Sequence, residues 1–321
     1  MATSSYAADF LPAVVYQGEK HDQAFNEQVF MMADQFKKEH GIAYLEARSA
    51  NDAQPLQALR AVARRGANFI VAVAYTYAPT IAQAAKEFPQ AKFVLVDAAA
   101  NGSAPNLKSI MFREQEVAFL AGMAAALKSK TNTIGYIGGT AVPPIMAFGC
   151  GYAQGARHIN SKIKIIQNMV ANTSAGFLDP ARGAEITRTQ FDRGADVVFG
   201  AAHLTTLGIL RQAKDSKKLA IGVDSNMNGL FPGTVLTSAM KMAGNIVYSE
   251  WTAALRGAPW HAGITTVGLE ENVLGLAIDK HNRAVFDPAL ERRINQARTD
   301  IISGKIKVVD YRENNRCPVK Y

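Results

Sequence analysis

Short apolar strands alternate with helical segments along this chain, and the alternation runs through twice. Ala13–Tyr16 reads as a strand and Asn26–His40 as a helix; Ile42–Ala47 then leads to a helix opened by Asn51 and Asp52 and closed at Gly66. Phe69–Ala74 is followed by a helix over Pro79–Phe88, with proline where a first-turn N–H has no partner anyway. Phe93–Asp97 ends in a carboxylate, and the long helix Glu114–Lys130 separates this series from the next. The second series comprises Thr133–Ile137 (strand), Pro144–Asn160 (helix), Ile163–Val170 (strand), Pro180–Gly194 (helix), Asp196–Ala201 (strand), Leu204–Asp215 (helix) and Leu219–Asp224 (strand). Strands of this kind, punctuated by caps and glycine and joined through helices, make a doubly wound parallel α/β sheet.

At 321 residues the chain exceeds the size at which a single core stops growing, so two lobes are expected. The first takes residues 10–127 with about 240–266, and the second 128–239 with about 267–321. Val235–Lys241, the helix Met242–Arg256 and the segments Thr265–Glu270 and Val273–Ile278 suit return crossings, and the helix Pro288–Ser303 suits the surface of the second lobe. No Pro/Ser-rich linker or short-period repeat intervenes. Short hinge crossings, with a ligand cleft between facing strand ends, are therefore expected.

Hydrophobic content of 48% and charged content of 19% describe an ordinary globular chain. No run reaches the roughly 18 apolar residues of a membrane span; the longest apolar stretches, such as Asn68–Ala74, are strand-sized. Ser5-Tyr-Ala-Ala8 has the small residues that end a secretory signal, so the chain reads as an exported, periplasmic protein behind an expression methionine. No cysteine near the start supports a lipid anchor there. The net charge of +8 is spread in doublets such as Lys37-Lys38 and Arg64-Arg65, without a basic block or a nucleic-acid-binding motif. No nucleic-acid partner is expected, and the chain is read as a monomer. The two cysteines, Cys150 and Cys317, either bridge the C-terminal tail to the second lobe or stay as one small buried residue and one free thiol; spacing does not decide.

Ligands of open α/β sheets sit outside the carboxyl ends of the strands. Those ends carry Asp22, Phe25, Asn26, Asp97, Gly138-Gly139, Asn172, Phe177, Asp179, His203, Asp224 and Lys241. Carboxylates, amides and aromatic faces suit a flat polar molecule. Catalytic arrangements are missing: there is no G-x-S-x-G elbow, no H-E-x-x-H, and the six histidines are dispersed. Gly135-x-x-Gly138-Gly139 is neither a dinucleotide nor a Walker loop. The site reads as recognition without chemistry, with no cofactor and no metal. Each residue has a plainer alternative. Asp97 and Asp224 also suit caps of a following helix or turn, Phe25 and Phe177 suit surface packing, Lys241 a solvated position, and His203 a turn.

Ordered motifs run along nearly the whole chain. They are Asp22-Gln-Ala-Phe-Asn26 (D-x-S-F-N), Phe119-Leu-Ala-Gly122, Ile134-Gly-Tyr-Ile-Gly-Gly139, Phe148-Gly-Cys-Gly-Tyr-Ala-Gln-Gly155 (F-x-x-G-F-x-x-G), Gly176-Phe-Leu-Asp-Pro180, Ile221-Gly-Val-Asp224 and Leu236-Thr-Ser-Ala-Met-Lys241. In order and spacing the chain resembles the basic membrane protein family of ABC-transporter solute-binding proteins, whose best-understood members are purine-nucleoside receptors. The resemblance implies a two-lobe, type I periplasmic binding protein fold, and a receptor, not an enzyme, that delivers a purine nucleoside to an ABC permease. It implies Phe25 and Phe177 as the stacking pair and Asp224 as the ribose acceptor. Asn26 and Asp97 would hold polar edges, Lys241 would touch sugar or base, and Asp22 would orient Asn26. Ala24 stands where the family has Ser, and Ala201-Ala-His-Leu-Thr-Thr-Leu-Gly208 departs from its glycine-rich pattern. A non-nucleoside heterocycle, or an enzyme acting on nucleosides on the same scaffold, therefore stays open as an alternative.

Overall fold

The computed structural model describes residues 10–22, 25–50 and 54–320. The expectations placed on the first nine residues, and on Asn51 and Asp52 as a helix opening, lie outside the described residues. In chain order the first stretch holds β1 (Pro12–Gln17), α1 (Phe25–His40), β2 (Leu45–Ser49), α2 (Pro55–Arg64), β3 (Phe69–Val73), α3 (Ile81–Glu87), β4 (Lys92–Val96) and β5 (Leu107–Phe112). The second holds α4 (Glu114–Lys128), β6 (Thr133–Gly138), α5 (Pro143–Ile159), β7 (Lys164–Met169), α6 (Pro180–Asp192), β8 (Val197–Ala201), α7 (Thr205–Asp215), β9 (Leu219–Asp224) and β10 (Val235–Lys241). The chain continues through α8 (Ala243–Leu255), β11 (Gly263–Val267), β12 (Leu274–Leu276) and α9 (Pro288–Ile302).

Two compact units result, Met1–Phe112 with Met242–Val267 and Arg113–Lys241 with Gly268–Tyr321. Among the described residues each builds a six-stranded sheet, β11-β5-β4-β3-β1-β2 in unit 1 and β12-β10-β9-β8-β6-β7 in unit 2. All pairings are parallel except β12 against β10. The central strand β3 is buried throughout, as a Phe-Ile-Val-Ala-Val run covered on both faces should be.

In unit 1, α1 buries Val29, Ala33 and Phe36, one stripe at helical spacing. Phe36 meets the fully buried Trp251 of α8 edge to face, with ring centroids 5.3 Å apart. In unit 2, α4 and α5 touch backbone to backbone. A Cβ on Gly155 would lie 1.9 Å from the Phe119 carbonyl oxygen, one on Gly122 2.0 Å from that of Tyr152, and one on Gly151 2.4 Å from that of Gln115. The glycines of the Phe119–Gly122 and Phe148–Gly155 motifs are therefore packing devices. They also place α4 in unit 2, although the sequence reading assigns residues up to 127 to the first lobe.

Other boundaries move for local reasons. β2 begins at Leu45, not Ile42, and α3 begins at Ile81 because a 3-10 turn, Tyr75–Tyr77, precedes it and leaves Pro79 ahead of the helix. β5 has no counterpart in the sequence reading, while β11 starts two residues earlier than expected. Cys150 and Cys317 are joined in a disulfide spanning a sequence separation of 167 residues. Closing a loop that long removes roughly 5 kcal/mol of denatured-state chain entropy in the loop-closure treatment.

Candidate functional site

In unit 1 the turn between β1 and α1 is held by its own side chains. The buried Asp22 carboxylate accepts from the Asn26 N–H at 2.9 Å and the Glu27 N–H at 3.0 Å, so it satisfies first-turn donors of α1. Asn26, also buried, donates from Nδ2 to the Gln17 carbonyl at 2.7 Å and the Glu19 carbonyl at 2.8 Å. Both of its amide hydrogens are thus used to fold the loop, and Oδ1 is what it can offer a ligand. Phe25, the first residue of α1, is half-buried.

Asp97 follows β4 with φ +88°, and Asp224 closes β9 with φ +65°. Beyond β8, His203 has φ +50°. β4 and β9 occupy equivalent places in their sheets, so two aspartates hold left-handed backbone at matching strand ends. That conformation costs a non-glycine residue of order 1 kcal/mol, and such outliers gather at functional sites. Neither aspartate is followed by a helix: the chain runs on to β5 in one case and to β10 in the other. Helix capping therefore does not account for them.

The loop beyond Asp224 is tied down by Asp279, whose carboxylate accepts from Asn226 Nδ2 at 2.7 Å, Asn228 Nδ2 at 3.1 Å and the His281 N–H at 2.7 Å. Burial acts to raise the Asp279 carboxyl, but these hydrogen bonds outweigh it and hold the group below the usual carboxylate range.

Phe177 ends a 3-10 turn, Ser174–Phe177, and its half-buried ring lies on Gly139. A Cβ on Gly139 would come within 2.3 Å of the ring, and one on Gly176 within 2.0 Å of the Gly139 carbonyl oxygen. Thr205 locks this turn, donating from its hydroxyl to the Gly176 carbonyl at 2.9 Å and accepting from the Asp179 N–H at 2.8 Å. Gly139 thus makes room for an aromatic, Gly138 for Ile145 and Met169, and Asp179 caps α6 by accepting from the Arg182 N–H.

Lys241, at the end of β10, is buried, which excludes the solvated alternative. Its Nζ lies 3.0 Å from Oε1 of Glu114 and 5.8 Å from the Phe148 ring centroid. Glu114 is 0% exposed, and its Oε2 is 2.9 Å from Nη1 of Arg312. Sequence reasoning did not mark Glu114 or Arg312. An acidic residue opening a helix reads as a dipole-matched surface group, and the tail carries no motif.

A cavity of about 440 Å³ opens on unit 1 against the same β1–α1 turn, lined by Tyr16, Glu19, Lys20, His21, Glu46, Ala47 and Arg48. Its charges pair internally, Lys20 with Glu46 at 3.0 Å and Arg48 with Glu19. Burial, then the Glu46 carboxylate, pushes the Tyr16 hydroxyl well above its usual range and keeps it a neutral donor. None of the expected site residues lines this recess, which reads as a solvated, self-paired surface. Among the described residues there is no cluster of metal-ligating side chains, and no helix is long and apolar enough to cross a membrane.

Two mostly parallel six-stranded sheets of this order define a type I periplasmic solute-binding fold. An ABC transporter solute-binding protein from Aeropyrum pernix K1 has this fold with a TM-score of 0.83 at 24% identity, covering 95% of both chains. Residues 11–312 match the ABC transporter substrate-binding proteins described as PnrA-like, and the chain belongs to that family. An uncharacterised lipoprotein of Pyrococcus horikoshii is 31% identical over 269 residues, 80% of this chain and 66% of the relative. The chain thus spans just under two thirds of that relative's length. Basic membrane protein D of Borreliella burgdorferi is 28% identical over 301 residues, 92% of this chain and 86% of the relative.

Proposed function

We propose that the chain is the extracytoplasmic receptor of an ABC importer and that its solute is a purine nucleoside. The observation that carries this reading is the pair of left-handed aspartates, Asp97 and Asp224, at equivalent strand ends. Each unit also carries a half-buried phenylalanine from the strand-end motifs, Phe25 in one and Phe177 in the other. Phe25 and Phe177 supply aromatic faces for the base, Asp224 accepts the ribose hydroxyls, and Asn26 and Asp97 take polar edges. Asp22 holds the loop that presents Asn26, and Lys241 contacts the sugar or base. Family membership and the lipoprotein relatives support a permease partner and a location outside the cytoplasm.

The test is calorimetric titration with adenosine, guanosine, adenine and AMP. Ribonucleosides should bind and be recovered unchanged, whereas adenine and AMP should bind far more weakly. No phosphate loop is present, and Asp22, Asp97 and Asp224 bring negative charge to the strand ends. Base–aromatic stacking is worth about 1–3 kcal/mol, so Phe177→Ala should weaken adenosine roughly tenfold to a hundredfold. If adenine or AMP binds as tightly as adenosine, or if adenosine is cleaved, the nucleoside-receptor reading is wrong.

A further inference from the structure

After α9 the described tail holds a 3-10 turn, Tyr311–Glu313, and it is fastened to α5 on both sides of that turn. Val309 and Gln154 exchange a pair of 2.9 Å hydrogen bonds, backbone N–H to Oε1 and Nε2 to backbone carbonyl. Cys317 is bonded to Cys150. Between these fastenings stands Arg312, with Nη1 2.9 Å from Oε2 of Glu114 and Nη2 2.8 Å from the Asp310 carboxylate. Glu114 therefore divides its two oxygens between cations from distant parts of the chain: Arg312 from the tail and Lys241, 3.0 Å away, from the end of β10.

A carboxylate whose second oxygen is held by a guanidinium fork is fixed in orientation, whereas one facing an ammonium alone can turn. By holding Oε2, Arg312 fixes how the Glu114 carboxylate is turned and leaves Oε1 facing Lys241, while Asp310 balances the guanidinium's own charge. Asp310, on the outer side of the guanidinium, fixes where that guanidinium lies. We propose that Arg312 is a positioning residue: acting through Glu114, it sets the placement of Lys241, so solute affinity depends on the tail. This rests on Lys241 being a solute contact.

A double-mutant cycle in the full, disulfide-bonded chain tests it, with adenosine as probe. Arg312→Met should weaken binding about tenfold and Arg312→Lys should restore most of it. In a Lys241→Met background Arg312→Met should change nothing further, because additivity fails where one residue acts through another. Wild-type affinity in Arg312→Met, or an equal loss in both backgrounds, would overturn the proposal. Should Arg312→Met not fold, Asp310→Asn, which loosens the guanidinium while keeping its charge, should lose twofold to threefold, again only with Lys241 present.

A readout without ligand separates this proposal from the nucleoside assignment. The Lys241 side-chain resonance in 13Cε/15Nζ-lysine-labelled protein, identified by its absence in Lys241→Met, should move in Arg312→Met. It should stay in place in Arg283→Met, which breaks a surface ion pair with Glu291. If adenosine fails to bind wild type, the nucleoside assignment falls and this resonance decides alone: an unmoved signal sinks the role of Arg312.

Discussion

Glu114→Ala should lower the unfolding free energy by about 3–5 kcal/mol, the range for removing one member of a buried ion pair. Glu114 is 0% exposed, and the Lys241 and Arg312 side chains beside it are 4% and 14% exposed. Without the carboxylate, the buried Lys241 ammonium loses the Glu114 countercharge and faces the Arg312 guanidinium, which Asp310 still balances. At an m-value near 3 kcal/mol/M the urea midpoint of unit 2 should fall by about 1 M or more. The companion Glu114→Leu/Lys241→Met should lose less than the single change, since removing both charges avoids the uncompensated state. A shift under about 1 kcal/mol for Glu114→Ala would mean that the charges there are screened.

The other large effect concerns Asp224. A carboxylate that accepts two vicinal hydroxyls makes charge-assisted hydrogen bonds worth about 1.5–3 kcal/mol each. Asp224→Ala should therefore weaken adenosine at least a hundredfold while adenine changes little, abolishing most of the preference for the ribonucleoside. Asp224→Asn is the cleaner comparison, because asparagine also tolerates left-handed backbone. It should lose affinity with little change in melting temperature. Equal losses for adenosine and adenine would show that Asp224 does not read the sugar.

The doubly wound architecture was legible because strand and helix periods alternate cleanly. β9 and β10 occupy the residues expected of them, Leu219–Asp224 and Val235–Lys241. β5 escaped because Lys108 and Ser109 interrupt its apolar residues, and its partner β11 arrives from a much later part of the chain. The strand-end aspartates could be picked out, but not their backbone: left-handed φ is set by the turn and not by residue type. Asp22 and Asn26 could be marked as polar groups at a helix start, whereas the loop geometry that consumes their hydrogen bonds appears only once the chain is folded. Glu114 and Arg312 were invisible for a different reason. Each is an ordinary charged residue until folding places the tail over the start of α4.

On the proposed reading of Asp97 and Asp224 as solute contacts, heat resistance and solute recognition pull these two corners in opposite directions. Glycine at either place would relieve the left-handed backbone, a gain of about 1 kcal/mol each, but would delete the carboxylate. A library sorted only for survival at high temperature should therefore fill both positions with glycine, yielding sturdier proteins that no longer sense their solute. Engineers seeking a robust sensor on this scaffold would do better to leave the two corners tense and look for stability elsewhere in the chain.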